Sequence, residues 1–488
     1  MLADFKTLLK HSLIYGAGVA LGKAVGFVMV PVYTRCLNPS EYGTLEMLSR
    51  SGELVALVSA LGFVSALPRF YFDYATPRDQ HRVVSTGLLF TLGSALAVAA
   101  VLMPLGRWLS VVILGTPEGA LLCRLLLVSV VFDMGTLIPL TYLRIQQRSG
   151  LYTVANLCRL AAAVGLNIYL IAVLRMGVAG AIWSMLAVAV GVALVLSGWT
   201  LRRTGVGFDL GMAKAMLRYG LPLIPASLCL LTIQASDRFF LRGLTSLSEV
   251  GIYALGYKFA MMLGVLVTGP LMLIWTTYIF EIAKRPQAPA IYARALTYYA
   301  LAAVAFALPL CLFGRELLAL VATPRYLAAY RVIPPVALGF GFLGCASVME
   351  VGIYLRRRTG VRLGNMATAA AANLGLNWLL VPRLGGMGAA WAAMGALGLL
   401  AVLTYVTCRR LYPVPYELGR LARLAAVTAG AWLAYSQGAV ALPGGAQVAA
   451  KLAILAAVPV ALYAVGFFLP SERAALGRLG RRKAEVGA

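Results

Sequence analysis

Six cations stand inside otherwise apolar stretches of this chain: Lys23, Arg50, Arg124, Arg159, Lys258 and Lys451. A charge in such surroundings costs roughly 2.5–3.5 kcal/mol unless it faces a polar cavity or meets a partner. Arg159 shares a helical face with Tyr152, Ala155, Asn156, Ala162 and Ala163, a small and polar stripe. Gly16 and Gly26 fall on or near the face of Lys23. Both cations read either as anion-binding groups in a cavity or as halves of internal salt bridges. A guanidinium fork suits a phosphate or carboxylate. Arg124 and Lys258 lie nearer one end of their stretches, where snorkelling to the interface competes with a cavity role. Arg50 has Glu46 four residues before it and Glu53 three after, a spacing that lets the three neutralise one another. Lys451 reads as structural or interfacial.

Three acids lie in the same kind of surroundings. Asp133 shares a face with Ser129 and Thr136, and no cation stands three or four residues away. Glu350 has Ser347 and Tyr354 on its face, with Arg357 two turns further. Asp237 is followed by Arg238, which predicts a local ion pair. A process driven by H+ or Na+ needs a titratable group inside the membrane. Asp133 is the first choice for it, and Glu350 the second because Arg357 can hold it ionised. The residues imply no other cofactor. Asn167 and Asn377 sit among small residues, where an amide bonds across helices for roughly 0.5–2 kcal/mol.

The elements that must position these groups are long and apolar. The chain has 488 residues, 61% hydrophobic and 12% charged, about half the charge of an ordinary soluble domain. Fourteen apolar runs, labelled α1 to α14, recur at about 12–34, 45–68, 83–105, 119–142, 151–174, 176–199, 217–240, 251–280, 293–313, 332–355, 360–381, 386–407, 420–440 and 446–469. Each is long enough to cross a bilayer as a helix, and none alternates as a spanning strand would. The first run holds Lys23 and lacks a small-residue cleavage site, so it reads as a retained helix.

The net charge of +25 is unevenly placed. Twenty-seven Lys and Arg residues fall in the two termini and the even-numbered connections, and nine in the odd-numbered ones. That asymmetry predicts both termini in the cytoplasm and makes the arginine clusters topogenic rather than nucleic-acid binding. The seven cysteines are scattered and the two histidines lie far apart, so neither a metal site nor a disulfide framework is expected. The connections are short and hold no nucleophile elbow, phosphate loop or acid pair, which disfavours an enzyme.

The chain also repeats itself. "GLNIYLIAVLRMGVAGAIW" from Gly165 returns as "GLNWLLVPRLGGMGAAW" from Gly375. "RCLNPSEYG" after α1 returns as "RGLTSLSEVG" after α7, which aligns Glu41 with Glu249 and Gly43 with Gly251. The offset is 208–210 residues, so α1–α6 and α7–α12 are two copies of a six-helix unit. Six is even, so the copies run parallel and are related by an axis along the membrane normal.

These repeated elements, with "LNPSEYG", "SDRFFLRGL" and "EVGIYALGYK", resemble the polysaccharide exporters. That family comprises the lipid-linked oligosaccharide (O-antigen repeat-unit type) flippases of the multidrug/oligosaccharidyl-lipid/polysaccharide exporter superfamily. The resemblance covers the whole chain. It implies an all-α polytopic membrane protein with a MATE-like fold: an N-terminal lobe over 1–200, a C-terminal lobe over 217–410, α13 and α14 over 420–470, and a basic cytoplasmic tail over 471–488. It implies a cationic cavity, alternating access, and passage of a polyprenyl-diphosphate-linked oligosaccharide from the inner to the outer leaflet of a bacterial or archaeal cytoplasmic membrane. The partners it implies are that glycolipid, membrane lipids, and the polymerases or glycosyltransferases of cell-surface polysaccharide assembly. Two other functions share the fold: ion-coupled export of small drugs, and flipping of lipid-linked peptidoglycan precursor. The excess of helical cations over helical acids favours an anionic cargo over a drug cation.

Overall fold

The computed structural model describes residues 27–356, 358–438, 440, 442, 444–470 and 472. Lys23, Arg357 and nearly all of the basic tail lie outside them. Only the end of α1, Val30–Cys36, is described.

The apolar runs from α2 to α14 fold as helices. Eleven spans among the described residues are long and apolar enough to cross a membrane. Two further helices, α11 (Thr359–Leu384) and α13 (Leu418–Gln437), complete the predicted series. The remaining bounds are Pro39–Ala60 for α2, Pro77–Leu102 for α3, Ala120–Ile145 for α4 and Gly177–Thr204 for α6. Ser149–Asn167, extended by a π-helical segment Ile168–Val173, forms α5. Ile224–Leu244 is α7, Ala288–Leu312 α9, Ile333–Met349 α10, Gly386–Leu411 α12 and Gly444–Ala464 α14. The central helix of the second copy, α8, begins as Leu247–Leu263 and passes through a π-helical stretch, Gly264–Thr268, into Gly269–Ile282.

The connections with many Lys and Arg define a basic end of the bundle. The other end carries the connections after odd-numbered helices. There the repeat goes beyond its quoted motifs: short helices Gly106–Leu114 and Gly314–Val321 follow α3 and α9 at equivalent places.

Local chemistry explains why the motifs recur. Asn38 caps α2, and Glu41 closes a capping box by accepting from the Asn38 N–H at 2.8 Å. Ser246 caps α8 in the same way, but Glu249 turns elsewhere. Its Oε1 accepts the backbone N–H of Gly386 at 2.9 Å, where α12 begins. The glutamate of one repeated motif thus serves the glycine cluster of the other. An orphan helix N–H and a carboxylate at a positive helix end both gain from the arrangement.

At the basic end α2 stops at Leu61–Gly62, both left-handed, and resumes as a short helix, Phe63–Asp73. Gly62 lies directly on Gly220, the last residue of an amphipathic helix, Leu210–Gly220, that leads into α7. That leader packs Met216 among Phe63, Leu67, Val83 and Ile138 of the first copy. The connection before it is pinned by Ser85 donating to the Gly207 carbonyl at 2.6 Å and Thr86 accepting from Asp209 N–H at 3.1 Å.

A buried ion pair docks α14 on the second copy, and Thr297 of α9 donates to Glu417, just before α13, at 2.7 Å. Lys451 is fully buried and lies 2.5 Å from Glu316, between the rings of Phe313 and Tyr435. Arg420 reaches Glu417 and Glu472, each at 2.8 Å.

Candidate functional site

The two copies meet where α2 crosses α8. A Cβ on Gly43 would fall on the carbonyl oxygen of Leu247, and one on Gly251 would fall on that of Pro39. Only hydrogen fits at either position. Residues 39 and 247 are themselves equivalent, so the crossing is nearly two-fold symmetric. It lies at the first turn of each helix, at the end opposite the basic one.

Two flanks complete this seal. On one, Tyr326 donates to the Leu37 carbonyl at 3.0 Å, Thr323 to that of Thr34 at 3.1 Å, and Thr34 to that of Val321 at 3.2 Å. On the other, Arg242 donates to the Val111 carbonyl at 2.6 Å. Side chains from one copy thereby satisfy carbonyls in the other.

Below the crossing lies a buried charge network. Arg50 bonds Glu46 at 2.9 Å and Glu53 at 2.8 Å, as the spacing predicts. The cluster is not closed on itself, however. Arg238 of α7 stands 3.4 Å from Glu46 and 2.9 Å from Asp237. The phenol of Tyr253 donates to Asp237, and the Tyr257 ring lies 3.9 Å beneath the Arg238 guanidinium. Arg238 is 0% exposed. Arg238 falls within the apolar run 217–240 but is not among the six cations that stand out in the sequence, and the packing shows it fully enclosed. The Asp237–Arg238 pair is as expected, enlarged by a carboxylate from the other copy.

Lys258 does not snorkel. Its Nζ donates to the Tyr42 phenol at 2.9 Å, again across the copies. Tyr42, Tyr33 and Tyr326 form an aromatic row around it, with ring centroids about 6 Å apart. Arg124 is exposed, as an interfacial cation would be.

Arg159, which reads as a cavity cation or as half of an internal salt bridge, and Asp133, which reads as the coupling acid, are one ion pair. Arg159 Nη2 lies 2.8 Å from Asp133 Oδ1, joining α5 to α4 with side chains 38% and 25% exposed. Sequence spacing within α4 could not show a partner contributed by α5. Glu350 is likewise paired, at 2.9 Å, with Arg362 at the start of α11, while Arg357, the partner the spacing suggests, lies outside the described residues. Tyr354 donates to its other oxygen at 2.8 Å.

The repeated asparagines differ in use. Asn167 accepts from the Tyr33 phenol of α1 at 3.2 Å, a bond between helices. Asn377 instead donates to the carbonyl of Asn373 in its own helix at 2.9 Å. The cross-helix bond in the second copy belongs to Asn373, which accepts from Ser236 of α7 at 2.8 Å. The glycine-leucine-asparagine motif thus marks the bonding residue in the first copy, and in the second copy a residue one turn away from it.

The excess of helical cations is thus mostly cancelled. Arg50, Arg159, Arg238 and Lys451 each have a carboxylate partner. The network at the interface contains Arg50, Arg238 and Lys258 against Glu46, Glu53 and Asp237. It is balanced in charge, and cation number alone does not select an anionic cargo.

Known proteins share both the sequence and the shape. The sequence pattern of the family described as "Polysaccharide biosynthesis protein" matches residues 8–282. The succinoglycan biosynthesis transport protein ExoT of Rhizobium meliloti is 26% identical over 239 residues, 48% of this chain. The match spans 46% of that relative, about half its length. Among solved structures, the lipid II flippase MurJ in an inward closed conformation superposes with a TM-score of 0.76 at 10% identity, covering 93% of this chain and 99% of that one. An inward-facing multidrug resistance MATE family transporter of the MOP superfamily gives 0.62 at 18% identity, covering 80% and 94%. A MOP superfamily transporter from Pyrococcus furiosus gives 0.60 at 18% identity, covering 82% and 95%. These superpositions establish the two-lobed transporter fold.

Proposed function

Because the chain belongs to the polysaccharide biosynthesis protein family, and is a multi-pass membrane protein of the MurJ and MATE fold, we propose that it is a flippase for polyprenyl-diphosphate-linked oligosaccharides. It takes the glycolipid from the inner leaflet of a bacterial or archaeal cytoplasmic membrane and delivers it to the outer leaflet for cell-surface polysaccharide assembly. It works as a transporter, not an enzyme, and hands its cargo to polymerases or glycosyltransferases. The basic end is cytoplasmic, because translocation retains Lys and Arg on that side.

One observation carries the mechanism. The hydrogen bonds and ion pairs described between the two copies' membrane-spanning parts all lie in the half nearer the sparsely charged end. The structure is therefore closed toward the outside. Opening the outer side requires these contacts to part while the lobes rock. Lys258 and Arg159 are the groups best suited to hold the diphosphate: one has a phenol for its described partner and the other is part exposed. Asp133 is the group best suited to H+ or Na+ coupling, since Asp237 is fully buried between Arg238 and Tyr253 and Glu350 is held by two partners.

The test is reconstitution. Proteoliposomes holding the full chain should expose an inner-leaflet fluorescent polyprenyl-diphosphate oligosaccharide to an external quencher faster than empty liposomes. They should not accumulate ethidium. Ethidium accumulation without glycolipid exposure would replace this reading with drug export.

A further inference from the structure

The two copies part company between their fifth and sixth helices. In the second copy α11 and α12 are packed, with Leu376 seated against Gly395 and with Ala369, Ala389, Ala392 and Ala396 fully buried. The equivalent pair in the first copy is Leu166 and Ala187, at the same 210- and 208-residue offsets as the asparagine and tryptophan of the repeat. There α5 and α6 separate and leave a cleft of about 300 Å³. At their outer ends the two helices still touch, since Gly180 packs against the Leu170 carbonyl. Deeper in, a Cβ on Gly191 would meet nothing within 4 Å.

The cleft is apolar except at one place. Ala155, Ala162, Val188 and Val192 form its walls, and Arg159 opens into it beside its Asp133 partner. The second copy has Ala369 at the position equivalent to Arg159, at the 210-residue offset, so the charged pair and the cleft occur together in one copy and are both missing from the other. Arg159 lies ten residues into α5. At 1.5 Å per residue that is about 15 Å from the helix start, near the middle of a hydrocarbon layer roughly 30 Å thick. The phosphate of a resident phospholipid stays at the interface and does not reach that depth. A phosphate that arrives there is in transit.

We propose that the α5–α6 cleft is the track for the polyprenyl chain of the cargo, with Arg159 receiving its diphosphate at mid-membrane. This rests on the flippase reading and adds where the lipid runs. The hydrocarbon chain lies against the alanine and valine walls. Arg159 offers its guanidinium fork to the diphosphate, and Asp133 is the counter-charge that holds Arg159 in place between cargoes. A flexible isoprenoid needs a groove more than a fitted pocket, and small residues at a helix interface provide one.

Cys158 lines the cleft and is exposed, so it reports occupancy. Proteoliposomes with the full chain are treated with N-ethylmaleimide, and modification at each cysteine is read by mass spectrometry. Undecaprenyl-diphosphate-linked oligosaccharide at about ten times its dissociation constant should slow modification of Cys158 about ten-fold and leave that of Cys36 unchanged. Arg159→Gln should abolish the protection. Gly191→Phe projects a ring into the cleft from a position where a Cβ meets nothing within 4 Å, and should lower glycolipid transport about ten-fold. If Cys158 is modified at one rate with and without the glycolipid, in vesicles that do transport it, the track lies elsewhere and the flippase reading survives. Equal protection by phosphatidylglycerol alone would show a bulk-lipid groove and overturn the proposal. If the wild-type chain moves no glycolipid at all, the flippase reading itself falls, and the track with it.

Discussion

Arg50 and Lys258 occupy the same place in the two copies, 208 residues apart, and live differently. Arg50 has Glu46 and Glu53 on its own helix. The equivalent positions around Lys258 are Ala254 and Met261, so its described partner is a phenol from the other copy. The Glu46–Arg238 pair that joins the copies would have Ala254 and Val30 as its mirror image, two buried apolar residues. The Asp133–Arg159 pair has no counterpart, and Glu350–Arg362 stands at a different level of the second copy. What the copies share is the glycine crossing, the caps and the flanking short helices. What they do not share is how charges are paired. Symmetry builds the frame and the outer seal, and the departures from symmetry hold the groups that can meet cargo or ions.

The largest effect should come from breaking the shared part. Gly43→Leu and Gly251→Leu each place a side chain on a carbonyl of the other copy. Both should prevent outer closure and reduce glycolipid export by about a hundred-fold, about 2.7 kcal/mol and toward the upper end of the roughly 1–3 kcal/mol typical of overpacking. An impermeant thiol reagent should then reach a cysteine placed at Ala254 from outside. If one variant closes normally and the other does not, the crossing is not the symmetric seal described here.

Next comes the unshared cross-copy pair. Arg238→Ala leaves Glu46 with Arg50 alone and strips buried Asp237 of its cation. A loss of about 3–5 kcal/mol is expected for an uncompensated buried charge. It should appear as a clear drop in the thermal unfolding midpoint in detergent. Val30→Ala, at the mirror position, should cost less, about 1.5–2.5 kcal/mol, for two lost methyl groups at about 0.8 kcal/mol each and the cavity they leave. Equal shifts in the two variants would mean that the ion pair contributes no more than packing.

The smallest effect separates the two lobe-internal pairs. Asp133→Asn keeps the size of the side chain and removes its charge. If coupling resides in the first copy, this variant should still bind glycolipid but lose the pH dependence of transport in proteoliposomes. Glu350→Gln, in the second copy, should keep that dependence and change the rate by only a few-fold. A wild-type pH profile in Asp133→Asn would leave Asp133 as the counter-charge of Arg159 and nothing more.

Much of this was legible in the sequence. Apolar runs of about twenty residues determine spanning helices, because a backbone in hydrocarbon must satisfy its own hydrogen bonds. The repeat of Glu-x-Gly and Gly-Leu-Asn motifs determines two parallel copies. The spacing of Glu46, Arg50 and Glu53 determines a local cluster, and Asp237 beside Arg238 a local pair, because helical neighbours are set by the chain itself. Contacts between helices are another matter. Asp133 meets Arg159, Glu350 meets Arg362, Glu46 meets Arg238 and Lys258 meets Tyr42 only after the helices have chosen their rotations and depths. No periodicity records that choice. It follows from packing small residues against one another, as at Gly43 and Gly251, and from the lack of packing at Gly191. The sequence determined which residues carry charge into the membrane, and the tertiary structure decided which charges cancel and which remain open to a ligand.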